Sequence, residues 1–186
     1  MKTLAGALAL LLTLAPAAAA PPQAPPPGTV QIEGGAIRHE KSGIVFPERI
    51  DDMARILTGT ELIMAMYAPA DLREMFAGKV ALLGVSAIAK DPGYEVMRER
   101  ARGSFHETGV PEVVSEGRFA WPGHPNATTF HGVYRVGPYR KEYWRAWDAG
   151  WDATMIVTTP RKDEKLGEKL SAVVAETVYG GAGIAN

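Results

Sequence analysis

The clearest pattern of hydrophobic and polar positions lies in the C-terminal third of the chain. From Arg140 to Trp147 the side chains alternate between two faces, which is the two-residue period of a β-strand. Asp148-Ala149-Gly150 is a turn sequence, because glycine accepts a positive φ without steric conflict. Residues 152–159 repeat the alternation. Together these segments predict a β-hairpin.

A helix is predicted directly after this hairpin. Thr159 suits the N-cap and Pro160 the first helical position, where a missing N–H group has no consequence. The apolar positions then recur at spacings of three and four, which gives the helix one apolar face. They are Leu166, Leu170, Val173, Val174 and Thr177. Gly180-Gly181 ends the helix, and its apolar face is expected to lie on the sheet.

Shorter patterns predict the other elements. A helix begins at Asp91-Pro92 and ends by Gly109, with an apolar stripe that includes Met97 and Phe105. Strands are predicted at residues 36–39, 44–46, 62–67, 79–89, 112–120 and 128–136. Residues 51–58 fit a helical turn or a strand, and Gly59-Thr60-Glu61 before the next strand favours a strand in a hairpin. Residues 69–75 form a loop or a single helical turn.

The order of strands, helix, four strands and helix predicts an α+β fold. We expect an antiparallel β-sheet of about seven strands, ending in a C-terminal meander, with two main helices packed on it. Residues 79–89 are apolar nearly throughout, which is typical of a central strand covered on both faces.

The N-terminus has the features of an export signal. Lys2 precedes an apolar run at Leu4–Leu14, and Ala17-Ala18-Ala19 offers a small-residue cleavage site. We therefore predict a signal peptide at residues 1–19, cleaved after Ala19, and a periplasmic or secreted mature chain. A proline-rich linker follows at 20–33, then a single domain at 34–180 and a flexible tail at 181–186.

Composition narrows the possible partners. The chain has no cysteine, which excludes disulfides, thiol nucleophiles and thiolate metal sites. Removing Lys2 from the 20 Lys and Arg residues leaves 19 against 21 Asp and Glu, a net charge of −2. Without a basic excess we expect no nucleic-acid partner. The leader is about half the ~20 apolar residues that a membrane span needs, and no transmembrane segment is expected in the mature chain.

Three parts of the sequence resemble a known family. The opening His39-Glu40-Lys41-Ser42-Gly43-Ile44-Val45-Phe46-Pro47, the tryptophan-bearing hairpin Tyr143–Val157 and the closing helix are similar to PsbP/Mog1-like α/β sandwich domains. That family includes photosystem assembly factors, a GTPase-binding protein and bacterial envelope proteins. The resemblance implies a non-enzymatic accessory or binding role, and it transfers no site residue.

No motif indicates a catalytic centre, a metal or a cofactor. The four histidines, His39, His106, His124 and His131, lack metal-ligand spacing. Ser86 lacks the second glycine of a nucleophile elbow. Pairs of carboxylates for glycoside chemistry remain open, because only the fold can bring them together. The candidates are Glu95, Glu99, Glu107, Glu112 and Glu116.

The four tryptophans give the most specific indication of a site. Strand parity places Trp144 and Trp147 on opposite faces, so they cannot share one flat platform. Core packing and a ligand or partner surface both remain open. The surface candidates lie in loops or near strand ends, where binding residues concentrate. They are Trp121, His124, Tyr139, Arg140, Trp147 and Trp151.

Three functional hypotheses follow. The first is an exported, non-catalytic accessory or binding domain of the cell envelope, whose partner is an unidentified envelope protein or a small ligand. The second is an exported hydrolase that uses carboxylates or His124. The third is a purely structural or assembly factor, which would form a stable stoichiometric complex.

Overall fold

The fold is built on one antiparallel sheet. The computed structural model describes residues 27–58, 63–105, 110–181 and 183–184. In chain order the elements are β1 (Thr29–Gln31), a 3-10 turn (Glu33–Gly35), β2 (Ile37–His39), β3 (Val45–Phe46), β4 (Arg49–Ile50), β5 (Met53–Thr58), β6 (Ile63–Ala68), α1 (Leu72–Phe76), β7 (Val80–Ala87), α2 (Tyr94–Gly103), β8 (Glu112–Gly117), β9 (Phe119–Ala120), β10 (Thr128–Val136), β11 (Tyr139–Asp148), β12 (Trp151–Pro160), α3 (Glu164–Thr177) and β13 (Gly183–Ile184).

Eight strands form the main sheet, in the order β4-β5-β6-β7-β12-β11-β10-β8. Its neighbouring strands pair antiparallel, and β8, β10, β11 and β12 form the predicted C-terminal meander. Two small sheets accompany it, β1-β2-β3 and β13-β9. The α+β fold class is confirmed, with somewhat more strands than the seven expected.

The two main helices lie on opposite faces of the sheet. On one face α3 and the small β1-β2-β3 sheet enclose the larger core, where Trp144, Leu170 and Phe46 are fully buried. On the other face α2 packs Met97 and Ala101 against aromatic residues of β10 and β11. The alternation along β11 therefore sends successive residues into two different cores, as the strand period requires.

The β11–β12 hairpin has the predicted turn. Asp148 is the last residue of β11 and pairs with Trp151, so Ala149 and Gly150 form a two-residue connection. Both have positive φ angles, 47° and 86°, which matches the twist that favours primed turns in hairpins. Residues 53–58 form strand β5, which pairs with β6, so the strand interpretation is confirmed for these residues, whereas Asp51 and Asp52 form a turn.

Both predicted helix starts are wrong in detail. Thr159 and Pro160 belong to β12 and pair with Arg140 and Tyr139. The α3 N-cap is Asp163, whose carboxylate accepts a hydrogen bond from the Leu166 amide. Strand pairing extends past the local helix signal, so the helix begins only where β12 ends. The first position before α2 is Gly93 rather than Asp91; the Asp91 carboxylate accepts from the Gly93 amide.

The described part of the chain covers only one face of strand β7, contrary to the expectation from its sequence. Ala81, Leu83 and Val85 are buried under α3 and the small sheet. Leu82, between them, is 39% exposed on the α2 side. This occurs because α2 lies over β10 and β11 and leaves the other half of its face open.

Several expectations fall partly or wholly outside the described residues. The signal peptide, the linker up to residue 26, the turn at 59–61, His106, Glu107 and Gly109 are among them. The sequence predicts a flexible tail from residue 181. Within that segment, Gly183 and Ile184 pair with Ala120 and Phe119 of β9.

Candidate functional site

Four of the six candidate residues lie at one end of the main sheet. Trp121 and His124 belong to the connection between β9 and β10, whereas Trp147 and Trp151 flank the β11–β12 turn. Thr128 at the start of β10 pairs with Trp147, so the connection that holds Trp121 and His124 enters the sheet beside the β11–β12 turn. We call this group, Trp121, His124, Trp147 and Trp151, the aromatic end. Each member is partly buried.

A stacked pair organises the loop at this end. The rings of Trp121 and His124 lie 3.7 Å apart, with an interplanar angle of 19°. His124 Nδ1 donates to Asp148 Oδ2 at 2.6 Å, and the two side chains are 26% and 27% exposed. Trp121 also meets the buried Tyr179 ring edge-on at 5.8 Å. The loop is therefore fixed to the β11–β12 turn on one side and to the core on the other.

Trp151 joins the aromatic end to the small sheet. Its ring contacts the His39 ring at 4.5 Å, and the Lys41 ammonium lies 5.9 Å from its centre. His39 Nδ1 is 2.7 Å from the Ser42 hydroxyl. Burial, followed by the nearby charge of Lys41, lowers the pKa of His39, so its imidazole is neutral around pH 7. Two residues of the His39–Pro47 segment, His39 and Lys41, thus pack on Trp151.

Trp147 lies on the other face of the sheet from Trp144, as strand parity predicts. Its indole N–H donates to the Ile88 carbonyl at 2.8 Å, and its ring packs against the α2-side core. Trp144 is fully buried in the α3-side core. Of the tryptophans in the hairpin, one is therefore core, and Trp147 and Trp151 are each half-buried at its end.

Tyr139 and Arg140 lie at the opposite end of the sheet. The Tyr139 ring covers Gly78, where a Cβ atom would overlap it. Arg140 Nη1 donates to Glu142 Oε2 at 2.8 Å. A Cβ atom on Gly167 of α3 would come within 2.5 Å of the same guanidinium nitrogen, which explains a glycine inside a helix. The structure does not bring these two residues to the aromatic end.

Glu142 is the centre of a polar network that sequence reasoning missed. Its carboxylate is completely buried. Oε1 accepts from His131 Nε2 at 2.6 Å, Trp144 Nε1 at 3.0 Å and the Ser171 hydroxyl at 2.5 Å. Burial by itself raises the pKa of Glu142, but the His131 hydrogen bond and the Arg140 charge outweigh it and lower the pKa below 4.5. The network ties β10, β11 and α3 together.

The histidine and carboxylate side chains show which of the catalytic candidates the fold brings together. A carboxylate bound to His124 Nδ1 would leave Nε2 as the basic nitrogen, as in acid–base sites. The carboxylates Glu95, Glu112 and Glu116 each bind an arginine instead of one another. His106 and Glu107 lie outside the described ranges. Within those ranges, no group of three or more His, Asp or Glu side chains could hold a metal ion.

Among the described residues no helix has the length and apolar character needed to cross a membrane.

Comparison with known proteins identifies a likeness of fold. No protein-family model matches the chain, and no curated protein matches it. The solution structure of cyanobacterial PsbP (CyanoP) from Synechocystis sp. PCC 6803 is similar, with a TM-score of 0.51 and 10% identity over 84% of this chain and 91% of that one. The chain has a PsbP-like fold.

Proposed function

We propose that this protein is an exported accessory domain of the cell envelope that binds a partner protein through the aromatic end. The observation that carries the proposal is the rigid, partly exposed set of aromatic side chains at Trp121, His124 and Trp151. The leader at residues 1–19 supports export, and the PsbP-like fold is compatible with a non-catalytic role.

Rigid aromatics suit partner binding for two reasons. A Trp side chain offers a large contact area, and little conformational entropy is lost when it is already held in place. Trp121 is stacked on His124, which is bound to Asp148. Such preformed aromatic anchors dominate the free energy of many interfaces. Loops held by a rigid sheet are also where binding residues concentrate.

Export is tested on the natural chain with a C-terminal tag. After expression in a bacterial host, we expect the protein in the periplasmic or secreted fraction with Ala20 as its first residue. A cytoplasmic protein that retains Met1 would remove the export component. This result stands apart from the binding test below.

Binding is tested by site-specific photocrosslinking in cells of the source organism. A photoreactive residue at the exposed Pro122, between Trp121 and His124, should give a discrete adduct with an envelope protein. The matched control is the exposed Ala172 on α3, which should give none. Adding His124→Ala should reduce the Pro122 adduct at least several-fold while the purified protein stays folded. Equal adducts from Pro122 and Ala172, or an adduct unaffected by His124→Ala, would contradict the proposal.

A second candidate function is an exported hydrolase centred on His124. The 2.6 Å contact between His124 and Asp148 is the observation that favours it, because a carboxylate commonly orients a catalytic imidazole. Purified mature protein would then hydrolyse ester, glycoside or peptide substrates, and His124→Ala and Asp148→Asn would abolish turnover. Absence of turnover, or turnover unchanged in both variants, would remove this candidate.

A further inference from the structure

Among the residues that the structure describes, no helix lies on one half of the α2-bearing sheet face. Met97, Ala101 and Phe105 pack against residues of β10 and β11. The strands β5, β6, β7 and β12 form the other half. Three of its large apolar side chains are exposed: Ile56 by 47%, Met64 by 40% and Leu82 by 39%.

Two of these exposed residues, Ile56 and Leu82, belong to one apolar rung of the sheet, together with the partly buried Met66 and Ile156. Ile56 pairs with Met66, Met66 pairs with Leu82, and Leu82 pairs with Ile156, so one rung of the sheet is apolar across four strands. Met64 lies in the adjacent rung. We call Ile56, Met64, Met66, Leu82, Gly84 and Ile156 the open face. Methionines are frequent on surfaces that bind helices, because their flexible thioethers adapt to a partner.

Gly84 gives a second, independent indication that another molecule contacts the open face. It lies in the middle of the central strand β7, paired with Met64 and Thr154. It has no positive φ, and an added Cβ would meet nothing within 4 Å. Neither its backbone conformation nor packing within the described chain requires glycine. Glycine inside a strand often marks a place where a ligand or another backbone approaches closely. The notch above Gly84 therefore fits a side chain from outside.

The dimensions of the open face fit one helix. Four strands at about 4.8 Å spacing measure about 14 Å from β5 to β12, and an α-helix is about 10 Å across. A helix placed along β7 would lie beside α2, with Leu82 and Gly84 beneath it and Met66 and Ile156 at its sides. This is the position that a second helix takes in a layered α/β domain.

The charge of Lys141 indicates what kind of helix the open face would bind. Lys141 pairs with Thr158 of β12, two residues from Ile156. Its ammonium lies 5.0 Å from the Phe105 ring centre, and within the described ranges it has no carboxylate partner. The other ions of this region, Arg145 and Asp152, bind each other at 2.6 Å. Burial lowers the pKa of Lys141, and a carboxylate from a partner would offset that effect.

Two other occupants fit less well. The proline-rich segment 20–28 contains no acidic residue, and proline does not continue within a helix. It also leads into β1, whose small sheet covers the opposite face. A second copy of the chain would bring another Lys141 and no free carboxylate from its own open face. Charge complementarity thus favours a different chain.

We propose that the open face binds an amphipathic helix of a partner protein, with an acidic residue at the edge of its apolar stripe that pairs with Lys141. The site differs from the aromatic end, and its tests are independent of those above. It corresponds to helix-in-groove recognition, in which apolar residues spaced at i, i+3, i+4 and i+7 enter the groove.

Synthetic helical peptides are the probe. The first carries leucines at i, i+3, i+4 and i+7 with glutamates beside the stripe. The second has lysines in place of those glutamates, and the third is a scrambled form of the first. Binding of fluorescent peptides to the full mature protein is followed by anisotropy. We expect the acidic peptide to bind about tenfold more tightly than the basic one, which corresponds to about 1.4 kcal/mol, and the scrambled peptide not to bind.

Three variants test whether the acidic peptide binds at the open face. Gly84→Val should leave the thermal midpoint unchanged or higher, because valine favours strands, and should weaken the acidic peptide at least tenfold. Lys141→Glu should reverse the preference between the acidic and basic peptides. Leu82→Glu should abolish binding. Its matched control, Val113→Glu on strand β8, replaces a residue that is similarly exposed, 44% against 39%, and should bind normally.

Each contrary outcome overturns the proposal. Failure of the acidic peptide to bind, or equal binding of the scrambled peptide, excludes recognition of this helix. Unchanged affinity in Gly84→Val with an intact fold places any binding elsewhere. A concentration-dependent dimer in light scattering that Leu82→Glu dissociates would assign the open face to a second copy instead.

Discussion

Glu142→Gln tests the polar network that joins β10, β11 and α3. The substitution keeps the shape of the side chain and removes its charge. A glutamine oxygen at the Oε1 position can still accept from His131, Trp144 and Ser171. Its NH₂ group would then face Arg140 Nη1, where the carboxylate now accepts at 2.8 Å. The variant therefore replaces one ion pair with two opposed donors.

The expected loss of stability is about 3 kcal/mol. Breaking a buried ion pair by removing one partner costs about 3–5 kcal/mol, and the lower end applies because three of the hydrogen bonds can persist. Domains unfold with about 5–15 kcal/mol, so the variant should still fold. With a urea m-value of about 2 kcal/mol/M, the midpoint would fall by about 1.5 M.

The pH dependence supplies a second readout. The folded-state pKa of Glu142 is lowered below its ordinary 4.5. Its contribution to stability is therefore present in full above about pH 4.5 and is lost as the pH falls through the folded-state pKa. In that window the wild type should lose up to about 1.4 kcal/mol more per pH unit than Glu142→Gln.

The control is Glu112→Gln, which removes a carboxylate that binds Arg135 and Arg161 at the surface and is 53% exposed. Exposed pairs contribute about 0–1 kcal/mol. Urea unfolding of the wild type and both variants, at neutral pH and at pH 4, makes the comparison. A loss below about 1 kcal/mol in Glu142→Gln, or equal losses in both variants, would refute the assigned role of the network.

Three further measurements concern the hairpin. Ala149→Gly should raise stability by about 1 kcal/mol, because a left-handed conformation costs an L-residue about 1–2 kcal/mol, and the thermal midpoint should rise by about 2–4 °C; a lower midpoint would contradict this. Trp144→Ala should cost about 3–5 kcal/mol in urea unfolding, since the ring is fully buried. Arg145→Met should cost a similar amount by leaving Asp152 unpaired in the interior. Adding Asp152→Val should recover most of that loss, and additive losses would show that the two residues do not act as a pair.

The spacing of apolar residues along the sequence was sufficient to predict much of the fold. The hairpin, the meander and both apolar helix faces follow from spacing alone. The start of α3 did not follow, because Thr159-Pro160 has the local features of an N-cap while the backbone of both residues aligns with β11. Pairing along a long hairpin outweighs a cap that contributes about 1 kcal/mol. Local signals identify where a helix can begin, and the partner strand decides whether it does.

The candidate site was predictable only in part. Trp147 and Trp151 are close in sequence, and their hairpin could be recognised. The bond between His124 and Asp148 joins residues 24 positions apart, and no local pattern encodes it. Glu142 looked like one polar position in an alternating strand. Its burial depends on α3 arriving above it, which is a property of the tertiary structure.

Strand β7 was predicted to be covered on both faces, and its sequence remains informative although the described residues cover only one face. Its residues are apolar at the positions that α3 and the small sheet cover, and at Val80 and Leu82 on the other face as well. A strand that faced water on that side would gain from polar residues there. The edge strand β8 offers a contrast, because its exposed Val113 and Val114 lie between Glu112 and Glu116 beside a register shift, features that discourage pairing with other chains. Leu82, Met64 and Ile56 are instead exposed on the face of interior strands, which are paired on both sides. The sequence of β7 therefore matches a strand whose second covering layer comes from another molecule.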